Sequence, residues 1–477
     1  MHLGVILNRV FRINHNPLLD YVITHQDEIK QLYLILPIED LSDAATVKRE
    51  DYHHVVKGFV STLIKHNIHP YIVDYKNLDT LANALSLSHV LMAKDIMSYH
   101  RASYDYPHMK KRFEKHHISV IGQRVNHYFQ PSKTFNQQHQ PYQIFTYFYK
   151  ANRQHLAHTP QKSTQLKQLA QYAAKGMNQS DLKFDKHTDE EAYARQSWNH
   201  FLNHEITLYS QLADDITRDN ISGLSRYLAY GLLDIREVIN HLLEGYDSDE
   251  NSYESFIREL MFREFYYVLM TQYPDAATQS FSVKYRNMEW SERQSHFEAW
   301  KNGETGYPII DAAMKKLLRT GYMHNRLRMI VSQFLTKHLF MNWTWGEAHF
   351  RRYLIDYDNA SNVHGWQWSA STGTDAVPYF RMFNPIRQSE RFDAMGDFIK
   401  EQLQILKDVK PKYIHNPSQY VTAIQQNHQI KIGEDYPKAI VNHKESRDYV
   451  MQQFKQYTNY KNGNHHGMTS RGCPRIW

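Results

Sequence analysis

Residues Asp356 to Trp368 read D-Y-D-N-A-S-N-V-H-G-W-Q-W, and a stretch of helical type before them contains M-H-N-R-L-R-M at residues 323–329. Together the two stretches supply carboxylates, a carboxamide, arginines and tryptophans. This combination predicts a site that holds a flat, redox-active cofactor, and it decides how the rest of the chain is interpreted.

The two carboxylates of this stretch, Asp356 and Asp358, are two residues apart. On a regular helix they would point in different directions, so only a helix end or a loop lets both address one ligand. Gly365 makes such an irregular stretch plausible, and Arg328 is the natural partner for a buried aspartate, because burying either charge alone is costly. The spacing by itself leaves open a second interpretation, a surface helix end with ordinary caps.

Composition limits the class of protein. A chain of 477 residues exceeds what one hydrophobic core normally organises, so two domains are expected. The mean hydropathy is −0.66, and the sequence contains no run of about 18 apolar residues of the kind that spans a membrane. The first residues show no export signal, and the single cysteine, Cys473, excludes an internal disulfide and a cysteine-rich metal site. A cytoplasmic protein fits these features best.

The charged residues indicate a polyanionic partner and no metal. Thirty histidines include adjacent pairs such as His465 and His466, but none stands in an H-E-x-x-H frame, so no metal site is predicted. The net charge is +6 and the isoelectric point is near 8.9. A basic surface favours nucleic acid, although basic tails can also be merely solubilising.

The first part of the chain has the pattern of an α/β fold. Helical segments such as residues 44–65 alternate with short apolar runs, which predicts a parallel sheet wrapped by helices. No G-x-G-x-x-G follows the first run, so a conventional dinucleotide site is not expected there. The predicted strands are residues 3–7, 32–36, 71–74, 89–92 and 118–121.

The chain then changes character twice. Residues 124 to about 190 are rich in Gln, His, Lys and Thr and predict a long surface connector. Beyond it, apolar residues recur at intervals of three and four, which is typical of helices, and Pro308 suits the first turn of one. The predicted organisation is an α/β domain at residues 1–130, a connector at 131–190 and a helical domain at 191–477.

From Tyr209 to Phe392 the sequence resembles the helical, FAD-binding half of the cryptochrome and DNA photolyase family, and most closely the class I cyclobutane-dimer photolyases. The resemblance implies an N-terminal Rossmann-like antenna domain joined by a long connector to an all-α FAD-binding domain. The segments that carry it are I-S-G-L-S at 221–225, E-L-M-F-R-E-F at 259–265, T-G-Y-P-I-I-D-A-A-M at 305–314, T-G-Y-M-H-N-R-L-R-M at 320–329 and G-W-Q-W-S-A-S-T-G-T-D-A-V-P-Y-F-R-M-F-N-P at 365–385.

The resemblance implies FAD in a folded, U-shaped form. It places Asp356 and Asp358 beside the flavin ring and adenosine, with Arg328 paired to Asp356. Asn362 falls at the position that faces flavin N5, where an asparagine supports reduced flavin. The full set of cofactor-binding positions is Tyr209, Ser222, Leu224, Ser225, Arg263, Arg328, Asp356, Asp358 and Asn362, of which the first four match positions around the phosphates.

Three tryptophans match the electron-transfer chain that runs from the surface to the photoexcited flavin in this family. They are Trp366, Trp343 and Trp290. Considered as residues alone, tryptophans beside apolar helices are mostly core residues, and a residue can both pack and conduct. The resemblance therefore implies light-driven reduction of the flavin.

The same resemblance implies a damaged-DNA substrate that is flipped into a cavity above the flavin. The positions that match contacts to the dimer are Glu259, Asn325, Met329 and Trp368. Phe262 departs from the pattern, because these enzymes usually carry a tryptophan there. The candidates for DNA contacts are Phe262, Arg326, Arg381 and Arg387, and the three arginines would meet phosphates.

We therefore predict a light-dependent deoxyribodipyrimidine photolyase, a lyase in which excited reduced FAD passes an electron to a cyclobutane pyrimidine dimer in DNA and splits it. One alternative is a cryptochrome-type photoreceptor, which usually carries a long C-terminal extension, whereas a short tail follows Phe392. The other is a (6-4) photolyase, which Met329 disfavours because those enzymes carry a histidine in this region. The N-terminal half matches the family weakly, so an antenna chromophore (folate, deazaflavin or flavin) is left unidentified. A monomer without membrane contact is expected.

Overall fold

The structure is a computed structural model and describes residues 1–96, 105–160, 166–184, 188–218 and 222–458. Cys473 and the pair His465 and His466 lie outside these residues. Among the described helices, none is long and apolar enough to cross a membrane. No cluster of three or more potential metal ligands occurs within the same residues.

A parallel sheet forms the N-terminal half, as the apolar runs predict. Its five described strands are β1 (His2–Ile6), β2 (Gln31–Ile38), β3 (Tyr71–Asp74), β4 (His89–Ala93) and β5 (Ser119–Gln123), in the order β3-β2-β1-β4-β5. Each pair is parallel, and β1 lies between β2 and β4. The helices between the strands are α1 (Pro17–Thr24), α2 (Thr46–Lys65), α3 (Leu78–Ala84) and α4 (Tyr106–Glu114).

The sheet is buried on both faces, which is why its strands are nearly continuous apolar runs. On β2, Leu34 belongs to the core shared with the helical half, whereas Ile35 belongs to a separate cluster with Phe113 of α4. The shared core continues into the C-terminal half, so the two halves are joined by packed side chains and not only by the chain.

The connector is better anchored than its polar composition predicts. It contains α5 (Phe145–Asn152) and α6 (Leu166–Tyr172), and Phe145, Phe148 and Leu169 are fully buried. Residues 173–178 then run beside the sheet, making parallel bridges to β2 and β3. The α/β domain, long connector and helical domain are thus present, while the limits at residues 130 and 190 stay a proposal.

The remaining part of the chain is helical. The helices that build the site are α8 (Tyr209–Leu212), α9 (Leu224–Ala229), α11 (Glu250–Gln272), α14 (Asn325–Gln333), α15 (Trp343–Tyr353) and α16 (Asn359–Ala370). The others are α7 (Glu190–His204), α10 (Ile235–Gly245), α12 (Gln294–Asn302), α13 (Pro308–Thr320), α17 (Pro385–Phe392), α18 (Asp397–Gln402), α19 (Pro411–Ile414), α20 (Val421–His428) and α21 (His443–Thr458). Pro308 opens α13, as predicted.

The helical half docks on the carboxyl edge of the sheet, where open α/β sheets usually bind ligands. Phe11 donates its backbone N–H to Tyr230 O, and the Arg12 guanidinium donates to Gly231 O at 2.9 Å. Gly231 has φ +64°, and a Cβ there would lie 2.2 Å from Arg9 O, so only glycine allows this approach. The edge therefore supports the helical domain.

Candidate functional site

A cavity opens in the helical half between α8, α9, α11, α14, α16 and the loop that precedes α16. All of the predicted cofactor-binding positions line it, although they come from six separate parts of the chain. They are Tyr209, Ser222, Leu224, Ser225, Arg263, Arg328, Asp356, Asp358 and Asn362. The structure brings them together, and their roles toward a cofactor remain a proposal.

Asp356 and Arg328 form the buried ion pair that the sequence predicts. Arg328 Nη2 donates to Asp356 Oδ2 at 2.7 Å, and its Nε donates to Met323 O at 2.7 Å. Both side chains are at most 5% exposed. The second carboxylate oxygen of Asp356, Oδ1, is buried and has no hydrogen-bond partner among the described residues.

Asp358 lies in the helix-end position that the spacing requires. It is the N-cap of α16 and accepts a hydrogen bond from Ser361 N at 2.7 Å. Burial alone would raise the pKa of Asp358, but the charges of Arg263 and His127 and the bonds from Ser361 outweigh it, and the pKa is below its usual value. Asp358 is therefore an ionised acceptor in the wall of the cavity.

Asn362 is held in one orientation by a residue that sequence reasoning did not name, Glu347 on α15. Asn362 Nδ2 donates to Glu347 Oε1 at 3.0 Å and to Glu347 O at 3.3 Å. Tyr357 OH donates to the same carboxylate oxygen at 3.1 Å. Asn362 therefore turns its other atom, Oδ1, away from Glu347, and that buried oxygen has no partner among the described residues.

These unpaired acceptors test whether the cavity suits FAD. Asp356 Oδ1 and Asn362 Oδ1 receive no hydrogen bond from a described residue, so both can accept N–H or O–H groups of a ligand. A flavin ring carries N–H groups on its edge. The hydroxyls of Ser222 and Ser225 and the charge of Arg263 lie on the same cavity and suit phosphate. The residues present fit the cofactor.

The predicted dimer contacts divide into two groups. Glu259 and Asn325 line the cavity. Met329 and Trp368 are 0% and 3% exposed and are not part of its lining. Met329 instead lies behind Asn325, whose Nδ2 is 3.9 Å from the sulfur. Two of the four residues are therefore in position to meet a ligand, while the other two are buried outside the lining of the cavity.

Phe262 is covered by an aromatic ring from the connector. Its ring stacks on Phe145 with centroids 3.3 Å apart and an interplanar angle of 11°. The guanidinium of Arg258 lies 4.8 Å from the Phe145 ring and 5.8 Å from the Phe262 ring. Phe262 is 5% exposed and does not line the cavity, so its predicted contact with DNA would require its other face or a movement of Phe145.

The tryptophans become more exposed along the predicted electron path. Trp366 is 0% and Trp343 is 1% exposed, while Trp290 is half-buried against Phe340. The aromatic rings beside Trp366 include Trp300 at 5.9 Å, a tryptophan that sequence reasoning did not name. A Cβ at Gly346 would lie 2.1 Å from the Trp366 ring, so α15 approaches this ring only because Gly346 has no side chain. Electron transfer along these rings stays a prediction.

The three arginines predicted to meet phosphates differ in exposure. Arg326 is 7% exposed, and its Nη2 donates to both carboxylate oxygens of Asp214 at 2.9 Å. A phosphate contact at Arg326 would require this pair to open. Arg381 and Arg387 are exposed, as a phosphate contact requires.

Two histidines near the cavity are neutral. His324 caps α14 by accepting a hydrogen bond from Arg326 N, and burial lowers its pKa to about 4. His364 stacks on Tyr266 with centroids 5.0 Å apart, and burial lowers its pKa to about 3. Neither residue adds positive charge beside Asp356 or Asp358 at neutral pH.

Known proteins resemble the chain along most of its length. Residues 256–456 match the family described as the FAD binding domain of DNA photolyase. The chain is 37% identical over 337 residues to the deoxyribodipyrimidine photo-lyase of Alkalihalophilus pseudofirmus, covering 68% of this chain and 70% of that protein. It is 33% identical over 457 residues to the enzyme of the same name from Buchnera aphidicola, covering 90% and 92%.

Solved structures share the two-part architecture. A class III photolyase from Agrobacterium tumefaciens superposes with a TM-score of 0.83 at 24% identity, covering 96% of this chain and 98% of that chain. The Synechocystis cryptochrome gives 0.81 at 20% identity, covering 94% and 98%. An archaeal photolyase from Sulfolobus tokodaii, described with two FAD molecules and a novel light-harvesting cofactor, gives 0.73 at 26% identity, covering 96% and 100%.

Proposed function

The chain belongs to the cryptochrome and DNA photolyase family, and from this premise we propose that it is a deoxyribodipyrimidine photo-lyase that uses FAD and light to split cyclobutane pyrimidine dimers in damaged DNA. The match to the FAD-binding domain supports the cofactor, and relatives named for this activity at 33–45% identity support the enzyme class. We also propose that the enzyme acts in the cytoplasm as a monomer.

The observation that carries the proposal is that one cavity presents two sets of groups. Asp356 and Asn362 each supply an acceptor oxygen that receives no hydrogen bond from a described residue, and these oxygens suit the edge of a flavin ring. Glu259 and Asn325 supply polar groups on the same cavity, which suit the hydrogen-bonding edges of a flipped pyrimidine. The same cavity therefore offers polar groups to a cofactor and to a damaged base.

Bound FAD, when reduced and excited by blue or near-ultraviolet light, supplies the electron that opens the cyclobutane ring, and the electron returns at the end. The residues of the chain position the cofactor and the dimer, shield them from water and form hydrogen bonds with them. Arg328 pairs with Asp356, so that neither charge is buried alone in the wall of the cavity. Glu347 keeps the Asn362 oxygen directed away from itself and available to the ring. Glu259 offers hydrogen bonds to the carbonyl and N–H groups of a dimer.

The test is repair of a thymine dimer in a short duplex by the FAD-loaded, reduced protein in blue light, with an identical sample kept in the dark. We expect loss of the dimer only in the light. A Glu259→Gln variant should still take up FAD, because Glu259 is not among the ring-side acceptors, but should repair more slowly. If FAD is bound and the dimer persists in the wild type, the proposal is wrong, and a parallel duplex with a (6-4) lesion identifies the alternative enzyme.

One observation favours a second candidate, a cryptochrome-type photoreceptor. Phe262 is covered by Phe145, and two of the predicted dimer contacts, Met329 and Trp368, do not line the cavity. A sensory protein would keep FAD and the tryptophans but would need no open lesion site. Reduction of its flavin by light, together with no repair of either lesion, would favour this candidate.

A further inference from the structure

The segment that leaves the sheet after β5 is bound by two buried carboxylates. Asp95, just beyond β4, accepts the backbone N–H groups of Val125, Asn126 and His127 at 2.8–3.0 Å. Glu264 of α11 accepts those of the next two residues, Tyr128 and Phe129, at 2.9 and 3.0 Å. Five consecutive amides of this segment are therefore fixed between the two halves of the protein.

Glu264 also binds two side chains. His127 Nδ1 lies 3.0 Å from Glu264 Oε1, and Arg263 Nη1 donates to the same oxygen at 3.1 Å. Burial would raise the pKa of Glu264, but His127, Arg263 and the Phe129 N–H outweigh it and hold the pKa below its usual value. Glu264 is thus an ionised anchor, 2% exposed, directly behind the cavity wall.

Arg263 connects this anchor to the cavity. Besides Glu264, its Nη1 donates to Asn126 O at 2.9 Å; it also lies 3.2 Å from His127 Nδ1, which cannot accept from it while donating to Glu264. One corner of the guanidinium is therefore held by the segment from the sheet. Arg263 lines the cavity, its charge lowers the pKa of Asp358, and no hydrogen bond to a described residue uses its Nε or Nη2. Those N–H groups are available to a ligand.

His127 is itself held rigidly. Its ring stacks on Tyr267 with centroids 3.6 Å apart and an interplanar angle of 8°, its backbone N–H binds Asp95, and its side chain is 5% exposed. The ring therefore cannot turn away from Glu264 and Arg263. It occupies the junction where the N-terminal half meets the wall of the flavin cavity.

We propose that His127 is a positioning residue for FAD. By binding Glu264, it fixes the carboxylate that holds one corner of the Arg263 guanidinium, so that the remaining N–H groups meet acceptor atoms of the cofactor beside Asp358. The segment that leaves the carboxyl edge of the sheet thus contributes to binding a nucleotide cofactor from behind. The inference rests on the proposed function only for the identity of the cofactor.

The test compares two substitutions of His127 in the full chain. His127→Phe keeps a flat ring against Tyr267 but removes Nδ1, whereas His127→Asn places an amide N–H near the same position. The dissociation constant of FAD is measured by fluorescence, and the urea midpoint is measured on the FAD-free protein. We expect His127→Phe to bind FAD about tenfold more weakly or worse, and its urea midpoint to fall as well, because the buried Glu264 carboxylate loses a hydrogen bond. His127→Asn should recover most of the affinity.

Tyr267→Phe is the matched control, because it keeps the stacked ring and should leave FAD binding as in the wild type. Wild-type affinity in His127→Phe overturns the inference. So does a parallel loss of affinity and urea midpoint without recovery in His127→Asn, because that pattern indicates a purely structural role. Failure of dimer repair leaves the inference standing, whereas failure of the wild-type chain to bind FAD overturns it.

Discussion

Substitution of Glu347 by Gln tests how the cavity presents Asn362. In the wild type the carboxylate accepts from Asn362 Nδ2 at 3.0 Å, and its other oxygen lies 3.4 Å from Arg351 Nε. A glutamine has only one acceptor oxygen. If that oxygen faces the positive charge of Arg351, the new NH₂ group faces Asn362, which must then turn its own oxygen toward residue 347. The substitution is therefore expected to invert the Asn362 amide.

The magnitude follows from the bonds involved. A hydrogen bond to a charged group contributes about 1.5–3 kcal/mol. The inverted arrangement gains this amount through the bond to Arg351, so turning the Asn362 oxygen back toward the flavin ring would cost the same amount. At the lower figure, about 1.5 kcal/mol less stabilisation of the reduced cofactor lowers its two-electron potential by about 30 mV. The direction is downward, because the oxygen accepts a hydrogen bond from a ring N–H that the reduced form carries.

The assay is a spectroelectrochemical titration of the bound flavin in the wild type, Glu347→Gln and a Tyr357→Phe control. The control removes a donor to the same carboxylate, at 3.1 Å, but leaves its charge and its bond to Asn362. We expect the potential to fall in Glu347→Gln and to stay at the wild-type value in Tyr357→Phe. An unchanged potential in Glu347→Gln with full FAD content, or an equal shift in both variants, would refute the reasoning.

Three further predictions concern the ion pair, the tryptophans and acid sensitivity. Asp356→Asn leaves the Arg328 charge buried without a counterion, so urea denaturation should show a loss of about 3–5 kcal/mol in the free energy of unfolding, and FAD retention should fall. Trp366→Phe should nearly abolish light-driven reduction of bound flavin, measured by absorbance with an external reductant, while the FAD content stays normal. Burial lowers the pKa of His349 and of His364 to about 3. The unfolded chain binds a proton at each of these histidines near pH 6.5, whereas the folded chain does so only near pH 3. The free energy of unfolding should therefore fall as the pH drops from about 6.5 toward 3, by up to about 1.4 kcal/mol per pH unit for each histidine.

Each of these predictions has an outcome that would contradict it, and the ion-pair prediction also has a control variant in the same chain. Asp43→Asn removes a half-exposed partner of Arg351 and should cost less than about 1 kcal/mol; a similar cost for Asp356→Asn would contradict the buried-pair argument. Full photoreduction in Trp366→Phe would show that the electron takes another route. His364→Asn removes one of the two titrating histidines, so it should reduce the slope of the unfolding free energy against pH by up to about 1.4 kcal/mol per pH unit. An unaltered slope would mean that His364 is protonated in the folded protein.

The sequence predicts the fold well because local signals carry most of it. The run at residues 71–74 coincides with β3, and the other four predicted strands deviate by one or two residues at their ends. Alternating apolar segments and turns suffice for a parallel sheet. The connector was misjudged in one respect: Phe145 and Phe148 belong to a short aromatic run, residues 144–149, inside a polar segment, and both are buried against the helical half.

The site residues that the sequence predicted are those to which a physical rule or the family resemblance applied. The rule that a buried charge needs a partner linked Arg328 to Asp356, and the spacing of the two aspartates required a helix end. No rule links Asn362 to Glu347, because the two residues lie on different helices and are 15 positions apart. The contact of His127 with Glu264 spans 137 positions and two domains. Such pairs depend on tertiary packing, which local patterns do not encode.

The central claim, that FAD in this cavity drives repair with light, is tested most directly by an action spectrum. Loss of a cyclobutane thymine dimer from a short duplex is measured at a series of wavelengths from the near-ultraviolet to the blue, with reduced holoprotein and with protein stripped of FAD. The account predicts that repair follows the absorption of the bound reduced flavin and is absent from the stripped protein and from dark samples. A dimer that persists at every wavelength in protein that retains its flavin would contradict the account.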